Sequence, residues 1–600
     1  MIVPVLLQAL LGFGKGARSE PPFNNPPGVD VWCGKAYRET NASFDPGGWL
    51  NAPNATNELK LDLRIAPRYN LYLGSQRNAS FIVDTPVSYT RGLSYKNQTF
   101  DDDSPSTKKP FTELIIQVRN LQTNAVLVDW ARIPVNASGI EIEFDLSSMK
   151  PSLAHPWTVL IIGNSPDAIQ TYTATTTVTV LPERNDTGSV ARIDRLYRGI
   201  EAKSSLTKNN WKPIFPYSFY TSWDWISSTL NNASATKNLT TFRASGYNLI
   251  HPVPPGGSDP FNHTLLEQFL TICDALELYV MYDMRHTYQN TTSITRQLSA
   301  LQPHPSLLLY YTADEPDGWT DPLNATRLSY THIRSLDPYH PVSLVLNCAN
   351  FHFAEYSSGA DILLEDTYPI AVNTSVSAVY HTACNATYGD CGCDNCHAHD
   401  AAYPAYVHNP FLDIVERVDS LYRLQEWTGR AHLCGKPVWG VPQAFWDAGS
   451  FWGRWPSAQE EAVMGVLRVN HGGLGIVAWM YPTSAEIEGV TAGLARVVAG
   501  ERVVKFLLGA RRVALRTVGG EGLLDAAAWV RGGRVLVSVV FQGYGDLGGE
   551  VEVRLPVSVD GVEVLWGEGG GWGIGLDGKS LKKEGVKGLE VAILEGRVVG

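Results

Sequence analysis

The chain has 600 residues, too many for one hydrophobic core, so about two to four domains are expected. Its 44% hydrophobic and 18% charged residues are a globular composition and exclude a disordered chain. A formal net charge of −12 excludes the basic face that a nucleic-acid partner would need.

The N-terminus opens with an apolar stretch, Ile2 to Phe13, followed by Gly14-Lys15-Gly16-Ala17-Arg18. Residues 1–20 therefore read as a secretory signal whose apolar part is too short to span a bilayer. No other run of 18 apolar residues follows, so no membrane span is expected once the signal is removed. Thirteen Asn-x-Ser/Thr sequons lie between Asn41 and Asn385, which fits an exported, N-glycosylated surface. The expected location is extracellular, with cell-wall association open.

Residues 21–195 carry short β-rich runs separated by turn residues: Leu61–Ile65, Phe81–Val83, Leu114–Val118, Ala125–Val128, Ile140–Phe144, Val159–Ile162 and Thr175–Val180. This predicts an N-terminal β-sandwich. From 205 to 500 the rhythm becomes strand–helix. Eight apolar runs recur: Ile214–Tyr220, Asn248–Val253, Leu278–Met284, Leu307–Thr312, Pro341–Leu346, Ile362–Asp366, Pro437–Val441 and Gly475–Tyr481. Helices are expected between them at Leu265–Leu276, Leu323–Leu336, Phe411–Thr428 and Ala458–Val469. Eight such units predict an α/β fold, a (β/α)8 or TIM barrel. The competing doubly wound sheet would carry a Gly-rich phosphate turn after its first strand, and Pro216-Tyr217-Ser218-Phe219-Tyr220 is unlike one.

Eight cysteines are present, and Cys384, Cys391, Cys393 and Cys396 crowd beside His397 and His399. Disulfides stapling a long loop are the expected reading, and no metal site is expected, although a zinc knot is the alternative. Residues 510–600 lose sequons and cysteines and show the runs Val535–Val540, Val551–Leu555, Val562–Val564 and Leu589–Leu594, which predict a C-terminal antiparallel β-domain.

In a barrel of this kind functional groups gather at the carboxyl ends of the strands. The fourth run ends Thr312-Ala313-Asp314-Glu315-Pro316, two adjacent carboxylates that are costly beside a core unless they act. The sixth ends Glu365-Asp366-Thr367-Tyr368-Pro369. Alternate residues share a strand face, so Asp366 and Tyr368 should point one way and Glu365, a rival carboxylate, the other. The third ends Asp283-Met284-Arg285-His286, with Tyr288 close behind. Trp223 follows the first run and Trp479 ends the eighth, both offering faces for stacking on a sugar ring, with plain barrel packing as the alternative.

In this order the motifs resemble the barrel glycoside hydrolases of clan A and its relatives, here in a fungal-type secreted glycoprotein. The resemblance covers the barrel segment only. It implies a glycosidase that acts on an oligo- or polysaccharide without a cofactor. Glu315 would be the acid/base, Asp366 the second carboxylate with Asp283 in reserve, and Asp314, Asp283, Arg285, Tyr288, Trp223, Tyr368, Gln443 and Trp479 would bind substrate. The match departs at the seventh run, Val438 to Trp446. The family keeps its nucleophilic Glu at that strand end, whereas Gln443 stands there and cannot attack an anomeric carbon. Three explanations stay open: another carboxylate substitutes, the enzyme inverts, or catalysis is lost. In the last case the chain is a carbohydrate-binding or wall-associated protein on the same scaffold. The sugar, the linkage and the oligomeric state are not legible.

Overall fold

A computed structural model describes residues 37–38, 48–97, 109–230, 235–256, 260–319, 321–372, 376–377, 382–383, 388–389, 397, 404–429, 435–447, 452–567 and 570–599. The expected signal segment and the cysteine-rich stretch 384–396 lie outside the described residues, apart from the short strand Tyr388–Gly389.

Eight parallel strands close into a barrel: β1 (Tyr217–Ser222), β2 (Leu249–Val253), β3 (Tyr279–Asp283), β4 (Leu307–Asp314), β5 (Val342–Leu346), β6 (Ile362–Glu365), β7 (Val438–Gly440) and β8 (Gly473–Tyr481). Closure is made by β1 against β8, with Tyr217 opposite Ile476 and Tyr220 opposite Trp479. The protein therefore has the TIM-barrel fold read from its sequence.

Helices α1 (Trp223–Leu230), α2 (Ala235–Ala244), α3 (His263–Leu276), α4 (Thr291–Leu301), α5 (Ala325–Leu336), α6 (Phe353–Ser357), α7 (Leu412–Trp427), α8 (Ala458–Asn470) and α9 (Ala485–Val498) pack around it. Helices α1, α2, α4, α6 and α9 are additions to the four expected. The side chains of Asn262, Asn290, Ser457 and Ser484 accept the otherwise unpaired N–H groups that open α3, α4, α8 and α9.

The strand alternation sorts side chains between two cores. On β6, Ile362 and Leu364 join the barrel interior with Met281, Leu309, Val345, Trp439 and Val477, whereas Leu363 faces the helical layer. The barrel floor is plugged by a three-stranded antiparallel sheet, Val190–Ile193, Ile200–Lys203 and Lys212–Ile214, whose Ala191, Ile193, Ile200 and Ala202 extend the interior cluster.

Before the barrel, sheets of three and four antiparallel strands face each other across a shared core of Phe81, Leu114, Ile116, Phe144 and Val159. After it, sheets of five and four strands enclose Val537, Val539, Val553, Leu581 and Leu594. These are the β-modules that flank the barrel.

Two buried charges stand out. Glu365 ends β6 in the outward series and meets Arg468 of α8 as a fully buried ion pair. Arg468 also donates Nη2 to the carbonyl of Thr367 (3.0 Å) and Nη1 to that of Met464 (3.1 Å). Its path requires Gly440, since a Cβ there would lie 2.1 Å from Arg468 Cδ. Removing one partner of such a pair strands a buried charge, so Arg468→Met should cost about 3–5 kcal/mol, read from the denaturant midpoint.

Glu461, also on α8, is fully buried beside Tyr217, and neither carboxyl oxygen has a hydrogen-bond partner among the described residues. Burial lifts its pKa from 4.5 to about 8. The unfolded chain therefore ionises first as pH rises, and this group's contribution to stability falls between about pH 4.5 and 8. Glu461→Gln should flatten that loss and leave the variant roughly 4 kcal/mol more stable than the parent at pH 8 but not at pH 4, measured by denaturation across pH.

Candidate active site

The inward residues at the strand ends form one polar layer. Tyr220 comes from β1, His251 from β2, Asp283 from β3, Tyr311 and Asp314 from β4, and Trp479 from β8. Glu315 follows β4 directly and Asp366 follows β6.

The layer is wired from β2 to β4. His251 Nε2 lies 2.7 Å from Asp283 Oδ2, and its ring stacks on Tyr220 at 4.1 Å. Asp283 also accepts from the Arg285 backbone N–H (2.8 Å) and Nε (2.7 Å). Arg285 Nη1 then donates to Asp314 Oδ2 at 2.8 Å, and Tyr311 donates its hydroxyl to Asp314 Oδ1 at 2.5 Å. The guanidinium sits 5.2–5.6 Å from the ring centres of Trp479, Tyr220 and Tyr311.

Burial sets the charge states. It pushes Asp283 upward, but the Arg285 charge and the His251 bond outweigh it and hold Asp283 below its ordinary value. Burial lowers His251 despite Asp283, which keeps the imidazole neutral. For Asp314 burial wins over Arg285, and with the Glu315 charge beside it the pKa rises.

Glu315 adopts a left-handed backbone, φ +52°, a conformation that costs a non-glycine residue about 1–3 kcal/mol and concentrates at functional sites. The turn is held from three sides. Glu315 N–H donates to the Val345 carbonyl (3.2 Å), and the Glu315 carbonyl accepts from Trp319 N–H (3.0 Å). Buried Asp317 accepts from the backbone N–H groups of Gly318, Asn347 and Cys348 at 2.8–3.1 Å. Burial nevertheless brings Asp317 up to about 7 against those three bonds.

At the mouth, the Asp366 carboxyl after β6 lies within interaction range of that of Glu315 after β4. Burial first, then the Glu315 charge beside it, raise Asp366 well above the carboxylate range. Two carboxyl groups so close cannot both ionise, so the pair shares a proton. Arg417 of α7, which donates to the Asn347 carbonyl, adds a positive charge that opposes the rise. Four buried polar atoms of the layer, Asp366 Oδ1, Tyr220 Oη, His251 Nδ1 and Arg285 Nη2, have no hydrogen-bond partner among the described residues. Buried polar groups are rarely left so, and here they point to a polar ligand.

Of the residues singled out in the sequence, Glu315, Asp366, Asp314, Asp283, Arg285 and Trp479 share this layer, and Tyr368 borders it against Phe445 (5.1 Å) and Trp452 (5.9 Å). Three stand elsewhere. Trp223 opens α1 and is buried edge-on against Phe261 (4.6 Å) and Phe269 (6.0 Å), a core role rather than a stacking platform. Tyr288 is buried with its hydroxyl on Asp321. Gln443 is fully buried, with Oε1 accepting from Ile370 N–H (3.0 Å) and Nε2 donating to the Ile370 carbonyl (3.1 Å). Its amide closes the loop after β6 and has no oxygen to spare for a sugar.

Sequence reasoning missed His251, Tyr220, Tyr311, Asp317 and Arg417. A histidine inside the apolar run of β2 was the available signal for the first. Nothing local distinguishes Arg417 from a solvated helix residue.

No protein-family model and no curated protein matches the chain. Similar solved structures include a β-glucuronidase from Ruminococcus gnavus in complex with D-glucuronic acid, at 10% identity and TM-score 0.30, over 71% of this chain and 61% of that one. A noncanonic maltogenic α-amylase from Thermotoga neapolitana aligns at 10% identity and TM-score 0.37, over 61% and 94%. A debranching enzyme from Nostoc punctiforme aligns at 11% and 0.39, over 64% and 96%. At these values the similarity carries no argument about chemistry, which rests on the site itself. Among the described residues no helix is long and apolar enough to cross a membrane, and no cluster of three or more His, Cys, Asp or Glu side chains has the arrangement of a metal site.

Because Gln443 Nε2 faces two carbonyls, Ile370 at 3.1 Å and Phe445 at 3.4 Å, the carboxylate oxygen that replaced it would meet acceptors only. Gln443→Glu should therefore destabilise the fold by about 1–3 kcal/mol in thermal or chemical denaturation and create no nucleophile.

Proposed function

We propose that the chain is a secreted glycoside hydrolase whose reacting groups are Glu315 and Asp366. The observation that carries this reading is the interacting carboxyl pair at the ends of β4 and β6, one member in a strained turn and the other raised in pKa. Glycoside cleavage needs one protonated carboxyl and one carboxylate flanking the bond.

Carboxyl groups close enough to perturb each other in this way are nearer the about 5–5.5 Å of a retaining enzyme than the about 6.5–9.5 Å of an inverting one. This favours retention. Asp366 is the deeper group, 9% exposed, and Glu315 is half-buried. The deeper carboxylate suits attack on the anomeric carbon from beneath the ring. The outer one suits proton delivery to the leaving oxygen on its way to solvent.

Between turnovers the shared proton rests on Asp366, and it passes to Glu315 when a sugar separates the pair. Glu315 then protonates the glycosidic oxygen as the C–O bond breaks and Asp366 bonds to carbon. Water, deprotonated by Glu315, later releases the sugar. Asp314, Arg285, His251 and Trp479 are the groups that would orient it.

Export is part of the proposal. The nine sequon asparagines among the described residues, from Asn54 to Asn324, all lie at the surface and none is buried, as glycan attachment requires.

Gln443, locked in backbone bonds, favours a second reading, a carbohydrate-binding protein without catalysis. Release of reducing ends from a panel of oligosaccharides separates the two. Glu315→Gln and Asp366→Asn should each lower kcat roughly 10²–10⁴-fold with folding unchanged. Azide should then yield a glycosyl azide of retained configuration from the Glu315 variant and of inverted configuration from the Asp366 variant. The opposite pattern exchanges their roles, and a fully active Glu315→Gln ends the proposal.

A further inference from the structure

A second cavity, of about 690 Å³, lies at the other end of the barrel, beside the turn Gly472-Gly473 that leads into β8. It is a junction. The N-terminal sheets contribute Arg64 and Asp84, the turn of the floor-plugging sheet contributes Arg195 and Arg198, and the segment entering the C-terminal sheets contributes Arg511 and Arg512.

Its electrostatics are unusual for a chain of net charge −12. Three carboxylates line the cavity, and each is already engaged. Glu426 pairs with Arg64 at 3.5 Å, Asp419 with His471 at 2.9 Å, and Asp84 accepts from Gly139 N–H at 2.5 Å. His471 is held by Asp525 as well, and these two partners overcome burial and lift it to about 9, so it is a cation at neutral pH.

The remaining four guanidiniums pair with no carboxylate among the described residues. Arg195 donates to the Pro67 carbonyl (3.4 Å), Arg511 to the Ser138 carbonyl (2.5 Å) and Arg512 to the Asn470 carbonyl (2.6 Å). Arg198 leans over the Tyr422 ring at 4.9 Å, from a backbone of φ +63° that is itself strained. Each retains donors, and among the lining carboxylates only Asp84, which accepts a backbone N–H and forms no ion pair among the described residues, is left to offset them. Planar forks of this kind match phosphate and carboxylate oxygens two at a time. Tyr197, Tyr422 and Trp529 supply apolar wall for a carbon skeleton.

We propose that this cavity binds a small polyanion, a molecule carrying two or more phosphate or carboxylate groups. Bound there, it neutralises Arg195, Arg198, Arg511 and Arg512 and ties the N-terminal sheets, the barrel and the C-terminal sheets together. The site is separate from the carboxylate pair, which lies at the opposite strand ends, and it does not depend on what that pair does.

Titration calorimetry on the full chain at low salt, with tripolyphosphate and with citrate as probes, tests the proposal without any glycoside. Saturable one-to-one binding of at least one probe is expected, weakening steeply with added salt and raising the thermal midpoint. The probe that binds tells whether phosphate or carboxylate chemistry is preferred. Arg198→Ala combined with Arg512→Ala should weaken binding at least about tenfold, while Arg597→Ala, three strands from Arg512 in the same sheet and paired with Asp560, should not. If the double alanine variant fails to fold, Arg198→Lys with Arg512→Lys keeps the charge and loses the fork, and should still weaken binding several-fold. Absence of saturable binding by both probes, binding unchanged in the folded double variant, or equal loss in Arg597→Ala overturns the proposal.

Discussion

Arg468 reaches from α8 through the gap that Gly440 leaves and grips the end of β6 at Glu365 and at the Thr367 carbonyl. That grip fixes the backbone on both sides of Asp366. Because side chains alternate along a strand, turning Glu365 outward to the arginine turns Asp366 inward to the barrel mouth. Two adjacent carboxylates thus receive opposite fates from one register, one as a buried structural ion and the other as a group held near Glu315. A one-residue slip would exchange them and leave the mouth without its second acid.

The same logic organises the rest of the mouth. Asp283 is stabilised as an anion by Arg285 and His251, and Arg285 in turn steadies Asp314. Burial raises Asp314 and Asp317 as well, but at Glu315 and Asp366 it acts on two acids that also raise each other, against the Arg417 charge alone. The layer therefore separates Asp283, which is held charged, from a pair that must share a proton, the division that carboxylate chemistry at neutral pH requires. Gln443 supports this from beneath by tying the loop after β6 to itself through Ile370.

The two ends of the barrel differ in electrostatic character. At the strand ends, arginine is matched to aspartate and the polar atoms left over are few and aimed inward. At the floor, arginines from three parts of the chain converge faster than carboxylates do. An acidic protein gains nothing in solubility from that convergence, so the excess charge is a property of the junction and of what it can hold.

Much of this was legible in the chain itself. Apolar runs of strand length alternating with helical stretches dictate a parallel closed sheet, and they located all eight strands to within a few residues, because burial on both faces leaves little else such runs can do. The same reading marked Glu315, Asp366 and the Arg285 neighbourhood, since a charged residue at the end of a buried strand must face either a partner or the mouth. Three assignments needed the tertiary structure. Trp223 and Tyr288 follow strands in sequence but turn into the helical layer, a direction set by where the next helix starts. Gln443 holds the expected strand-end position, yet its amide is consumed by Ile370, 73 residues away. Long-range partners of this kind leave no local signature, and for the same reason neither Arg417 beside Asp366 nor the arginines gathered at the floor could be seen until the chain was closed on itself.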